Sequence, residues 1–227
     1  MTVAPLRGLA LVRDPARGPV HAGLLHLMLM ALSAPPAAAQ MPLTVEVRGG
    51  GVYSTPFARG IAVVPAELEA VARDLEVGPR PAPVAELVLA ARPGPALVLE
   101  LRAGVSIADV AGAGGGNSWP AGRMTAVHIV GGVRVPLSPL PGADVRVGTG
   151  KVFYLSSDVN LLEGSGRTGV LLSGGFGYRL PGPFAAVGVA EAQWHEFAPA
   201  PLAEAGAAAG AVTRFLAYLA VPVWGTP

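Results

Sequence analysis

The stretch GFGYRLPGPFAAVGVAEAQWHEF, residues 175–197, decides the fold of this chain. Two apolar runs flank Leu180-Pro181-Gly182-Pro183. Polar residues interrupt them at every second position: Arg179 before the turn, then Glu191, Gln193 and His195 after it. A period of two is the signature of a strand with two unlike faces. Proline fixes φ and glycine admits positive φ, so Pro-Gly-Pro reads as the turn of a hairpin. Two structures satisfy such a pattern. A soluble sheet keeps its polar face in water, whereas a barrel in a membrane turns it inward.

The same alternation recurs along the chain. Eight runs carry it: Leu43–Ser54, Val84–Ala91, Ala96–Ala108, Met124–Leu137, Ala143–Ser156, Thr168–Leu180, Phe184–Phe197 and Val212–Trp224. Ala96–Ala108 is the clearest and Val84–Ala91 the weakest. In the former, Leu97, Leu99, Leu101, Ala103, Val105 and Ile107 share one face, and Glu100, Arg102, Gly104 and Ser106 lie on the other. Most runs are longer than the usual soluble strand of about 5–6 residues. They suit a tilted strand crossing a bilayer, which needs about 9–11.

Composition narrows the class. Of the 227 residues 14% are charged and 52% hydrophobic, with a formal net charge of +1. Neither a basic field for nucleic acid nor an acidic one follows from this balance. The absence of cysteine excludes disulfides, thiolate catalysis and thiolate metal sites. The N-terminal segment places Arg7, Arg13 and Arg17 before the apolar stretch GLLHLMLMALS, Gly23–Ser33, and then Ala37-Ala38-Ala39. That order predicts a secretory signal peptide over 1–39, leaving 40–227 as one mature domain. No later stretch reads as a membrane helix, so entry into lipid requires a closed sheet.

The connections alternate in length. Arg92–Pro95, Ser138–Gly142 and Pro181–Pro183 are short Pro-Gly turns. Thr55–Pro83, Asp109–Arg123, Ser157–Arg167 and Leu202–Ala211 read as long loops. All short turns and both termini then fall on one side, the layout of outer-membrane barrels with short periplasmic turns. Within the longest loop, PAELEAVARDLEV (Pro65–Val77) predicts a short amphipathic helix from Leu68, Val71, Ala72 and Leu75. GAGGGN, Gly112–Asn117, lacks the Lys-Ser/Thr ending of a phosphate loop and reads as a surface loop.

Taken together, the leader, the eight alternating runs, the loop asymmetry and the last run AVTRFLAYLAVPVWG (Ala211–Gly225) resemble the small eight-stranded outer-membrane β-barrel proteins of the OmpA and OmpX type. The resemblance implies an all-β, up-and-down antiparallel transmembrane barrel. It implies outer-membrane lipid as its surroundings, with assembly machinery that reads the last strand as a partner. The expected role is structural or surface-interacting in the envelope, without cofactor, metal, nucleic acid or catalytic residue, and as a monomer.

Polar-in alternation assigns a lumen set: Glu46, Arg48, Glu100, Arg102, His128, Arg134, Asp144, Arg146, Arg179, Glu191, Gln193 and Arg214. An eight-stranded barrel is just wide enough for side chains to fill. Opposite charges in so narrow a space are expected to pair and close it. Two other readings use the same residues. A soluble exported barrel of lipocalin type would reverse the faces and line an apolar cavity with Leu97, Leu99, Leu101, Val127, Ile129, Leu172 and Phe176. A lipid-modifying barrel enzyme would need His195 with Glu191 or Glu196 as partner and Ser156 or Ser157 nearby.

Overall fold

In the computed structural model, residues 41–63, 72–114, 116–156, 167–182, 185–198 and 210–225 are described. The leader expected over 1–39 lies outside them. The alternating runs become strands: β1 (Leu43–Ser54), β2 (Ala58–Val63), β3 (Ala72–Pro79), β4 (Ala82–Gly94), β5 (Leu97–Gly114), β6 (Asn117–Pro136), β7 (Ala143–Ser156), β8 (Arg167–Thr168), β9 (Leu171–Arg179), β10 (Val187–Ala198) and β11 (Gly210–Trp224). Eight of them close a ring in the order β1-β4-β5-β6-β7-β9-β10-β11, with β11 returning to β1. Every pairing around the ring is antiparallel. Closure leaves no free edge along the body of the barrel, the condition lipid imposes on a sheet.

The remaining strands extend this ring on its long-loop side. β2 and β3 form a hairpin, and β3 continues the line of β4 along the upper part of β5, from Leu75↔Gly114 to Pro79↔Val110. The β5–β6 ladder itself runs on to Gly114↔Asn117. A four-stranded apron, β2-β3-β5-β6, therefore rises above the ring. β8 continues β9 past Gly169-Val170 and pairs with β10 at Phe197↔Thr168.

These observations correct three expectations. Residues 72–77 of the segment read as a helix are strand, and residues 65–71 lie outside the described part. Leu75 and Val77 fit a period of two as well as a helical one, and pairing with β5 selects the strand. Asp109–Arg123 is not a long loop: β5 and β6 occupy nearly all of it, and GAGGGN spans the tip of the hairpin. Thr55–Pro83 likewise carries β2 and β3. The connections stay short, but the first is shorter than read: β4 runs to Gly94 and the turn is Pro95-Ala96, while Pro183 of the third lies outside the described residues. At Ser138–Gly142, Gly142 adopts φ +85°, and Leu137 N–H donates to Ala143 O at 2.9 Å to close the turn.

Alternation is realised as inside and outside. Arg102 is 1% exposed in the lumen, while its neighbour Leu101 is 44% exposed on the outer wall. Leu87, Leu99, Val105, Ile107, Val147, Leu172, Phe215 and Leu219 also face outward. In water each such side chain would forgo about 1.5–3 kcal/mol of burial. The outward leucines and inward arginines rule out the lipocalin-type arrangement. Trp194 and the stacked pair Tyr53–Phe215 mark one end of the apolar wall; Tyr178 and Trp224 mark the other. Phe215 and Trp224 are nine residues apart. At about 3.3 Å per residue and a tilt of about 40°, that is ~23 Å of height, close to the ~25 Å band of membrane barrels.

Candidate functional site

The lumen is built one inward position at a time. Arg48, on β1, is fully buried and reaches three carboxylates: Glu86 Oε1 at 2.8 Å, Glu100 Oε1 at 3.1 Å and Glu46 Oε2 at 3.2 Å. Glu86, on β4, also meets His128 Nε2 from β6 at 2.8 Å. Arg134 donates to Glu46 at 2.9 Å and lies 3.2 Å from Glu100. Arg146 forks onto Asp144, two residues away on β7, and stands 3.8 Å from Glu100. Glu100, which also has Arg102 of its own strand at 3.9 Å, is thus the hub, shared by arginines from four strands.

Above the hub the network continues without a break. Arg102 donates to Glu191 and to Ser173 Oγ, the latter at 2.7 Å. Gln193 donates to Glu191 at 2.9 Å and accepts from Arg214 at 2.9 Å. Arg214 reaches Ser106 Oγ at 3.3 Å. Forked guanidinium groups suit this work, because each offers several donors in a rigid plane. Inward glycines make the room. A methyl on Gly177 would stand 2.6 Å from Asp144 Oδ1 and 2.7 Å from Arg146 Nη2. Gly104 lies against the imidazole of His128 in the same way.

Towards the long loops the lumen changes character. Phe57 and Phe197 meet edge to face, with centroids 5.3 Å apart. Tyr154 packs on Phe197 at 4.6 Å, and its hydroxyl lies 2.9 Å from His195 Nε2. Val110, Met124, Val152, Leu171 and Val212 complete this plug. An apolar stopper therefore sits over a charged column, where alternation alone foretold only polar side chains.

Of the twelve lumen residues assigned from sequence, ten are buried and Arg134 is half-buried at the short-turn mouth. Arg179 departs from the expectation. It is exposed at that mouth and joins no ion pair among the described residues, because β9 ends there and the wall above it stops. Glu86 was missed, although its alternation with Val84 and Val88 on the weakest run placed it inward. Ser106, already placed on the polar face of its run, also lines the lumen, as do Ser173, Tyr154 and Tyr218. Of the candidate enzyme set, three members can be placed. His195 is bonded to Tyr154, Glu191 to Arg102 and Gln193, and Glu196 points outward. Ser157 lies outside the described residues.

Two spaces remain. A cavity of about 150 Å³ opens at the short-turn mouth, between Glu46, Arg92, Arg134 and Arg179. A void of about 10 Å³, enough for one water, lies between Tyr154, Ser106 and Arg214. Neither forms a passage through the column of side chains. Among the described residues no helix is long and apolar enough to cross a membrane. The strands cross instead. A ring of eight closed strands, apolar outside and filled with paired charges inside, is a small transmembrane β-barrel with a packed lumen.

No protein-family model and no curated protein matches the chain. Among solved structures it is similar to the outer membrane protein AlkL, determined by solid-state NMR in DMPC lipid bilayers. The TM-score is 0.47 and the identity 13%, over 82% of this chain and 91% of that one. It is also similar to the outer membrane protein OprG from Pseudomonas aeruginosa, with TM-score 0.40 and 11% identity over 81% of this chain and 93% of that one. A de novo designed transmembrane β-barrel matches with TM-score 0.35 and 14% identity, over 81% of this chain and 98% of that one. These are likenesses of fold at low score. The class of the protein rests on its own strand ring and inside-out distribution of side chains.

Proposed function

We propose that this chain is an outer-membrane barrel whose lumen is sealed, serving a structural or surface-interaction role in the cell envelope rather than transport or catalysis. One observation carries the reading: Arg48, at mid-lumen, is fully buried and held by Glu46, Glu86 and Glu100. A solute would have to break that cluster, and an uncompensated buried charge costs several kcal/mol. The aromatic plug closes the column a second time. The surface-facing part is the apron of β2, β3 and the upper β5–β6 hairpin, with exposed ion pairs Arg59–Glu76 and Asp109–Arg123. Loops and extensions on a rigid scaffold are where recognition resides. The last strand, β11, is the segment the assembly machinery would read, and the barrel would act as a monomer.

The test has two arms. Fractionation should recover the protein in the outer membrane, soluble only with detergent; recovery in the soluble periplasm sinks the membrane reading. In planar bilayers the wild-type barrel should give no steady conductance, and large regular single-channel steps would refute the sealed lumen. A deletion strain assayed for envelope permeability and surface adhesion then separates the structural role from the surface one.

A further inference from the structure

The buried column is electrically balanced, but its short-turn mouth is not. At inward positions of the ring stand five carboxylates, those of Glu46, Glu86, Glu100, Asp144 and Glu191. Five arginines meet them as described above: Arg48, Arg102, Arg134, Arg146 and Arg214. Two more arginines, Arg92 at the end of β4 and Arg179 at the end of β9, line the mouth cavity beside Arg134. Neither forms an ion pair among the described residues, and the only carboxylate lining the cavity, Glu46, is engaged by Arg48 and Arg134. The cavity of about 150 Å³ is roughly tenfold the ~10–15 Å³ that one water needs. Its walls are otherwise neutral, with prolines and small apolar residues such as Ala90, Ala185 and Pro222.

From this surplus we infer that the mouth is a binding site for a phosphate-type oxyanion, clamped between Arg92 and Arg179 with Arg134 at its floor. Guanidinium forks bind planar or tetrahedral oxyanions through paired, charge-assisted hydrogen bonds. The low-dielectric barrel walls strengthen that attraction relative to open water. Phosphate chemistry reaches such a mouth from two sources: free phosphate or a phosphorylated small molecule, or the headgroup of a phospholipid at the barrel rim. The site is a property of the barrel itself and is independent of where the barrel resides or whether it conducts.

The test titrates inorganic phosphate into the full chain refolded in uncharged detergent, at constant ionic strength with chloride as the reference, by calorimetry. Saturable binding is expected for the wild type. Arg92→Gln with Arg179→Gln should weaken it at least tenfold, and each single change should weaken it severalfold. Arg59→Gln with Arg123→Gln, on the opposite end, should leave it unchanged. Heat-modified gel mobility confirms that each variant is folded, and the single variants carry the test if the double variant does not fold. Reconstitution then separates the sources. A severalfold weaker phosphate affinity in phosphatidylglycerol than in phosphatidylcholine vesicles identifies the headgroup as occupant; equal affinity identifies the free anion. Absent saturable phosphate binding, or binding equal in wild type and the arginine variants, overturns the inference.

Discussion

Glu86 shows what one side chain holds together in this barrel. It bonds both Arg48 and His128, and all three side chains are out of reach of water. Removing its charge leaves Arg48 with two carboxylates instead of three and His128 with a weaker partner, a loss of about 1–3 kcal/mol. Glu86→Gln should therefore lower the unfolding free energy of the lipid-reconstituted barrel, read by urea titration, by an amount in that range. Adding Arg48→Met should restore part of the loss, because the buried column then again carries as many carboxylates as arginines. Simple additivity of the two changes in a double-mutant cycle would show that they are not coupled. A second residue-scale prediction concerns volume. Gly177→Ala should destabilise by about 1–3 kcal/mol, since its methyl would displace the Asp144–Arg146 fork. Gly131→Ala, which meets nothing within 4 Å on the outer wall, should stay within about 0.5 kcal/mol in the same assay.

Among the elements, the ring strands and the apron divide the work. β1 and β4 pair directly from Leu43↔Ala91 to Val52↔Ala82, so ring closure does not depend on β2 or β3. Replacing Ala58–Pro79 by a short turn should leave a barrel that still runs as a compact, heat-modifiable band. Its stability should fall by about 1–3 kcal/mol, because Val77 leaves the plug beneath the apron. Failure of that variant to fold would place the apron in the folding core. The plug has the opposite weight. Phe197→Ala removes contacts with both Phe57 and Tyr154 and should cost about 3–5 kcal/mol by urea titration. It should still pass no current, because the charge column below remains intact.

Across the whole molecule, the three tryptophans report where lipid ends. Trp194 and Trp224 are exposed at opposite ends of the apolar wall, and Trp119 sits on the apron against Gly112. In vesicles with brominated acyl chains, Trp194 and Trp224 should be quenched most by bromines near the glycerol level. Trp119 should stay unquenched by lipid and remain open to aqueous iodide. Single-tryptophan variants read each signal alone; deep acyl-chain quenching of Trp119 would contradict the membrane position assigned to the ring.

The sequence by itself determined the faces. Its period of two, its long runs and its Pro-Gly turns placed Leu99 and Leu101 on one side and Glu100 and Arg102 on the other. They also set eight strands and the side on which the turns are short. A one-residue slip would invert every side chain, so this information is local and legible. What tertiary structure alone decided is which inward groups meet. Arg48 and Glu100 are 52 residues apart, and Arg102 and Glu191 are 89 apart. Strand register and barrel stagger bring them together, and no local pattern encodes either. The same holds for the apron. Residues 72–77 have a helical reading on their own, and only pairing with β2 and with the open ladder of upper β5 makes them strand. The pair Arg92 and Arg179, without an ion pair among the described residues, is likewise a product of closure. Each is an ordinary arginine at a strand end until the ring sets both on the rim of one cavity with no carboxylate to spare.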